Sequence, residues 1–176
     1  MAILTREVVA SKRSEFQSWA LGDLKDNANR GVFAEWLVAQ LLGIKLGDKR
    51  ESWAACDLVT DDDIKIEVKS AAYRQSWKQK RDSKIVFSGL RSGNRGADQP
   101  FASERTYNAD WYVFCVQIEK NDDRWNALDL GQWRFYLLSA ADLRKINQSS
   151  ITLSMLAGFG ELTAEELNAK RQSLTK

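Results

Sequence analysis

Four side chains are of types and at spacings that could do chemistry together: Asp57, Glu67, Lys69 and, upstream, Glu35. The centre of the group is Ile64-Lys65-Ile66-Glu67-Val68-Lys69, which alternates strictly. Ile64, Ile66 and Val68 belong to one face of a strand, and Lys65, Glu67 and Lys69 to the other. Just before it, Asp57-Leu58-Val59-Thr60 reads as a second short strand, and Asp61-Asp62-Asp63 between them is a turn composition. A hairpin closed at that turn sets Thr60 opposite Ile64, Val59 opposite Lys65, Leu58 opposite Ile66 and Asp57 opposite Glu67. Two carboxylates directly opposed on neighbouring strands repel. A divalent cation removes the conflict, because hard oxygen ligands are what magnesium takes. Lys69 adds an amine on the same face. A solvated edge strand can carry the same Lys-Glu-Lys pattern. What distinguishes a site is Asp57 at hairpin distance, and a slip of one residue in register would dissolve it.

Composition narrows the chemistry further. The chain has 176 residues, two Cys and no His. The lack of His excludes imidazole general bases, Ser-His-Asp and Cys-His arrangements and His-containing zinc sites. Catalysis would have to run on carboxylates, Lys, Tyr or Ser, or on a metal held by oxygen. Cys56 and Cys115 have apolar neighbours and read as buried free thiols of a reducing, cytoplasmic protein. Residues 1–13 show no apolar signal core, and no apolar run approaches the roughly 20 residues of a membrane span. With 44% hydrophobic residues, seven Trp and one Pro, the expectation is a single folded domain over 1–176.

The net charge of +2 says little, but its distribution says more. Residues 65–105 carry ten basic against four acidic side chains, a net of +6, and the remainder carries sixteen against twenty, a net of −4. Within the basic stretch, Tyr73, Trp77, Arg74, Gln75, Lys78, Lys80 and Arg81 interleave aromatic with cationic and polar groups. Cations neutralise phosphates, and aromatic faces stack on bases or pack locally.

The elements that must position these residues follow from periodicity and caps. Ser14 to Leu24 reads as a helix with Phe16, Trp19 and Ala20 on one side. A stronger helix runs from Asn29 or Gly31 to Leu42 and ends at Gly43, with Val32, Phe33, Trp36, Leu37 and Gln40 on one face and Glu35 at its flank. Ile44 to Leu46 is a candidate short strand. Lys84 to Ser88 reads as a strand, and Arg91 to Asn108 as an irregular loop of the kind that closes on a substrate. Trp111 to Val116 is apolar on both faces, as in a covered central strand. Trp133 to Leu138 is a further strand. Ser139 opens a short helix with Asp142 placed to complete its cap, Ile151 to Met155 is a candidate strand, and Thr163-Ala164-Glu165-Glu166 is a capping box opening a helix to about Ser173. The sum is an α/β domain with a mixed sheet. Neither GxGxxG nor GxxxxGK[ST] is present, which removes nucleotide-binding folds that depend on those loops.

With Glu35, Asp57, Glu67 and Lys69 placed on a helix and two strands, the chain resembles the PD-(D/E)xK nuclease superfamily, whose fold is restriction-endonuclease-like. Gly31-Val32-Phe33-Ala34-Glu35 corresponds to the family's helix acid, Asp57 to its Asp and Glu67-Val68-Lys69 to its E-x-K; the resemblance covers about 29–116. Cys56 stands where the family's name has Pro, and the helix that usually crosses between the E-x-K strand and the next central strand has no counterpart between Ser70 and Asn108. The resemblance implies a mixed β-sheet flanked by helices and a metal-dependent endo- or exodeoxyribonuclease. Asp57, Glu67 and the main-chain carbonyl of Val68 would bind Mg²⁺ or Mn²⁺, and Glu35 would hold a second metal or orient the attacking water. Lys69 would position that water and offset transition-state charge. Ser70 and Tyr73 would orient the substrate or the Lys69 amine. Arg74, Gln75, Lys78, Lys80, Arg81, Arg91 and Arg95 would contact the nucleic acid, expected to be DNA, and a homodimer would cut both strands of a duplex. The competing expectations are a catalytically inactive nucleic-acid-binding or assembly subunit on the same fold, and a protein-interaction domain that uses the Trp residues.

Overall fold

The computed structural model describes residues 6–51, 54–91 and 105–176. In chain order the elements are α1 (Arg6–Ser11), α2 (Arg13–Leu21), α3 (Asn27–Leu42), β1 (Leu58–Val59), β2 (Lys65–Ala72), β3 (Val86–Phe87), β4 (Trp111–Gln117), β5 (Trp133–Ser139), α4 (Ala140–Ile146), β6 (Ile151–Thr152), α5 (Leu153–Leu156) and α6 (Ala164–Ala169). Four strands form one sheet in the order β1-β2-β4-β5, and β3 pairs with β6 in a separate two-stranded sheet. The main sheet is mixed: β1 runs antiparallel to β2, β2 parallel to β4, and β4 antiparallel to β5. The α/β class and the mixed sheet expected from the sequence are both present.

The hairpin forms in the register read from the alternation. Leu58 pairs with Ile66 and Val59 with Lys65, and the Thr60 N–H donates to the Ile64 carbonyl at 3.0 Å. Asp63 takes the turn's positive φ of 58°. One face of β2 is apolar because it lies under α3. Ile64, Ile66 and Val68 pack with Ala34, Leu37, Val38 and Leu42 of that helix, and Trp133, Phe135 and Leu167 extend the same cluster. The opposite face of the sheet is covered by β3, β6, α4 and α5 through Phe87, Tyr112, Phe114, Leu138, Leu143, Ile151 and Leu156. β4 is therefore buried on both sides, as its continuous apolar run requires.

α3 begins at Asn27, earlier than its periodicity indicates, because the Asp26 carboxylate caps it by accepting from the Ala28 and Asn29 N–H groups at 2.9 and 3.2 Å. It ends in the left-handed cap expected of Gly43, at φ 63°. The Gly43 N–H reaches the Gln40 carbonyl and the Ile44 N–H the Ala39 carbonyl. That commitment of Ile44 helps explain why Ile44 to Leu46 is not a strand: its N–H closes the helix instead of entering a ladder.

Three further expectations change. The buried stripe of α3 is Ala34, Leu37, Val38, Ala39 and Leu42, not the Val32–Phe33–Trp36–Leu37–Gln40 face; the alanines let the helix approach the sheet closely and leave Trp36 and Gln40 exposed. The strand read over Ile151 to Met155 stops at Thr152, where Leu153 begins α5. The face of α2 carrying Phe16 and Trp19 buries nothing among the described residues, and Trp19 is 83% exposed. Both capping boxes form as written in the sequence, Ser139 with Asp142 and Thr163 with Glu166. Most of the Arg91 to Asn108 loop lies outside the described residues.

Candidate metal and phosphate site

β1 is only two residues long, and its shortness leaves Asp57 outside the ladder. Asp57 is next in register toward Glu67, but instead of continuing the ladder through its backbone it turns its carboxylate to β2. Oδ2 accepts from the Val68 N–H at 2.7 Å. The Val68 carbonyl points to the same strand edge as its N–H. It therefore lies beside Asp57, beyond the end of β1. On the neighbouring residues of β2, the Lys69 Nζ donates to Glu67 Oε1 at 2.7 Å, with both side chains about four-fifths buried.

The electrostatics show that these groups form one cluster. Burial raises the Asp57 carboxyl from 3.8 to about 6, and the negative charge of Glu67 adds to that rise. The Val68 N–H opposes it, Glu35 contributes further, and Lys69 works against it. Asp57 thus senses all three of the other residues singled out from the sequence. Glu35 arrives from the flank of α3, and a residue the sequence reading missed holds it. Arg50, in the segment between α3 and β1, donates from Nε and one terminal nitrogen to the two Glu35 oxygens at 2.5 and 2.6 Å. Its guanidinium also feels Asp57. No local signal marks Arg50, since its partner is fifteen residues back and the loop between has no periodicity. Tyr112, the register partner of Glu67 on β4, is no candidate base: burial pushes its hydroxyl up to about 12, and it bonds the Leu90 carbonyl.

The donor set suits a hard divalent cation: two carboxylates and a carbonyl are its ordinary ligands, and burial disfavours the charged form of Asp57. Asp57, Glu67 and the Val68 carbonyl are the groups that would hold it. Among the described residues, no three Asp, Glu or Cys side chains converge closely enough to enclose an ion. Glu35 is drawn instead to Arg50, so the cation nearest to it is a side chain.

The other residues named from the sequence are dispersed. Ser70 follows Lys69 and lies, by alternation, on the α3 side of β2, where its Oγ is buried without a hydrogen-bond partner. Tyr73 packs against the second core cluster under the Lys120 ammonium, 4.4 Å from its ring centroid. Gln75 is scaffolding: it bonds the Ala72 carbonyl and the Ser83 hydroxyl and accepts from Arg30. Arg30 is fully buried in α3 and also donates to the Lys25 carbonyl and Asn27, tying the helix to the loop after β2. Arg74 is engaged by Asp122 and Asp82. Arg91 bonds Asn147 and lies over the Tyr107 ring. Lys78, Lys80 and Arg81 are exposed together with Trp77, on an open concave loop. Arg95 lies outside the described residues. Cys56 and Cys115 are buried free thiols, as expected. No described helix is long and apolar enough to cross a membrane.

Protein-family models and curated proteins were compared with the chain, and neither comparison found a match.

Proposed function

We propose that the chain is a metal-dependent nuclease of the PD-(D/E)xK type, hydrolysing phosphodiester bonds in DNA from a restriction-endonuclease-like version of the mixed sheet. The observation that carries this reading is the Asp57–Glu67–Lys69 cluster. Asp57, with its carboxylate on the Val68 N–H, and the Glu67–Lys69 pair sit at the truncated end of β1, where burial and then the charge of Glu67 push Asp57 up to about 6.

Asp57, Glu67 and the Val68 carbonyl would hold Mg²⁺ or Mn²⁺. When bound, the cation polarises the scissile phosphate and lowers the pKa of water beside it. The chain's own groups do the rest. The Val68 N–H fixes the Asp57 carboxylate, and Glu67 fixes the Lys69 ammonium at 2.7 Å. From there Lys69 orients the attacking water and offsets the negative charge that grows on the phosphoryl oxygens. Arg50 keeps Glu35 oriented and adds a second positive charge that Asp57 feels. Lys78, Lys80 and Arg81 supply phosphate contacts that set affinity and its salt dependence. Cleavage of both strands of a duplex would engage a second copy of the chain.

The second reading is a nucleic-acid-binding subunit without catalysis. The observation favouring it is that Glu67 and Glu35 are each already paired, with Lys69 and Arg50. One experiment separates the two. Supercoiled plasmid, linear duplex, single-stranded DNA and RNA are incubated with Mg²⁺, Mn²⁺ or EDTA, beside folded Glu67→Gln and Lys69→Ala proteins. Metal-dependent cutting lost in both variants supports the nuclease. Salt-sensitive binding with no cutting by any protein supports the subunit.

A further inference from the structure

A cleft of about 470 Å³ opens directly beside the acid cluster, between α3 and residues 44–51 and 54–59. Its size falls within the roughly 300–1,000 Å³ of pockets that enclose small organic groups. Glu35, Arg50 and Asp57 line its polar end. Lys45, Asp48, Lys49 and Glu51 also line it, and its apolar surface includes Trp36, Leu46 and Val59, which remain 48%, 46% and 45% exposed. Trp36 is the residue that the alanine stripe of α3 leaves out of the core, and Phe33 braces its ring at 5.7 Å between centroids.

An exposed, braced indole, two aliphatic walls, and a guanidinium and acid cluster at one end match one ligand chemistry: a flat aromatic heterocycle attached to a phosphate. Resting on the nuclease reading above, we propose that this cleft receives the unpaired base of the nucleotide adjoining the scissile phosphate, with Trp36 as its stacking platform. The substrate is then a single strand, or the frayed or unpaired part of a duplex, because a stacked and paired base cannot enter a concave cleft without leaving its helix. The occupant follows from continuity: a strand whose phosphate lies at Asp57 and Glu67 has its neighbouring nucleotide at the mouth of the cleft. Aromatic stacking also selects bases with little regard to sequence.

The test measures binding without cutting, in EDTA. A fluorescent single strand of about 12 nucleotides, within the site sizes usual for single-strand grooves, and the same sequence as a blunt duplex are titrated with the wild type, Trp36→Ala and Trp36→Phe, with circular dichroism confirming each fold. A series of single strands carrying one abasic nucleotide at successive positions is run alongside. The expected result is preference for the single strand, about tenfold weaker single-strand binding by Trp36→Ala, recovery in Trp36→Phe, and sensitivity to base loss confined to about one or two positions. Equal binding of both forms, unchanged by Trp36→Ala, would overturn the cleft assignment and leave the nuclease reading standing. No binding of either form by the wild type, in EDTA or with Ca²⁺ in place of Mg²⁺, would overturn both.

Discussion

Replacing Asp57 by Asn stabilises the metal-free protein at neutral and alkaline pH while removing its capacity to hold a cation. An ordinary buried hydrogen-bonded Asp would behave in the opposite way. In the unfolded chain this carboxyl titrates near 3.8, and in the folded protein near 6. Between those values the folded state holds the extra proton, so stability falls as pH rises through the window and stays lowered above it. The interval corresponds to about 3 kcal/mol, and its partial exposure to solvent reduces the expected gain to about 1–3 kcal/mol. The asparagine amide keeps an oxygen to accept the Val68 N–H, so the hydrogen bond at 2.7 Å survives while the charge does not. Urea unfolding in EDTA at about pH 8 should give D57N a higher midpoint at unchanged slope, and most of that gain should vanish by about pH 4.5. Saturating Mn²⁺ should reverse the order, adding about 2.7 kcal/mol to the wild type at roughly a hundredfold excess over Kd and nothing to D57N. A D57N protein less stable than wild type at pH 8, or a gain of the same size at both pH values, would refute the reasoning.

Other perturbations have definite outcomes. Lys69→Ala should lower the cleavage rate by about 10²–10⁴-fold with little effect on binding in EDTA, read by single-turnover kinetics. Alanine at Lys78, Lys80 and Arg81 together should weaken binding of all sequences alike and flatten the plot of log affinity against log salt by about one unit per lost phosphate contact. Arg30→Ala removes a fully buried guanidinium that bonds Asn27, Gln75 and the Lys25 carbonyl, and should cost about 3–5 kcal/mol in chemical denaturation. Gly43→Ala forces a side chain into a left-handed cap where the Arg171 guanidinium already packs, and should lower stability by about 1 kcal/mol or more.

The hairpin at the centre of the site is legible in the sequence because two local signals agree. Strict alternation assigns the faces of residues 64–69, and three consecutive Asp residues place the turn; together they leave one register, and Leu58 opposite Ile66 is the one formed. Glu35 and the end of α3 at Gly43 are legible for the same local reasons. What escapes is set by contacts distant in sequence. Arg50 matters only because the chain folds back onto Glu35. Arg30 is buried in contacts that include Gln75, forty-five residues away in the chain. Trp36 reads as core because hydrophobicity alone does not reveal that small residues, Ala34 and Ala39, allow the closer approach. The β3–β6 pairing joins residues far apart along the chain through strands of two residues each, too short to carry a periodic signal.

The most direct test of the central claim, that Asp57 and Glu67 form a cation site, is calorimetric titration of the protein with Mn²⁺ at about pH 7.5, above the Asp57 titration, compared with D57N, E67Q and E35Q. A cation site at Asp57 and Glu67 predicts one ion per chain, binding lost in D57N and E67Q, and binding retained in E35Q because Arg50 already neutralises that acid. Absence of heat in the wild type, or binding that survives removal of Asp57 and Glu67, would contradict it.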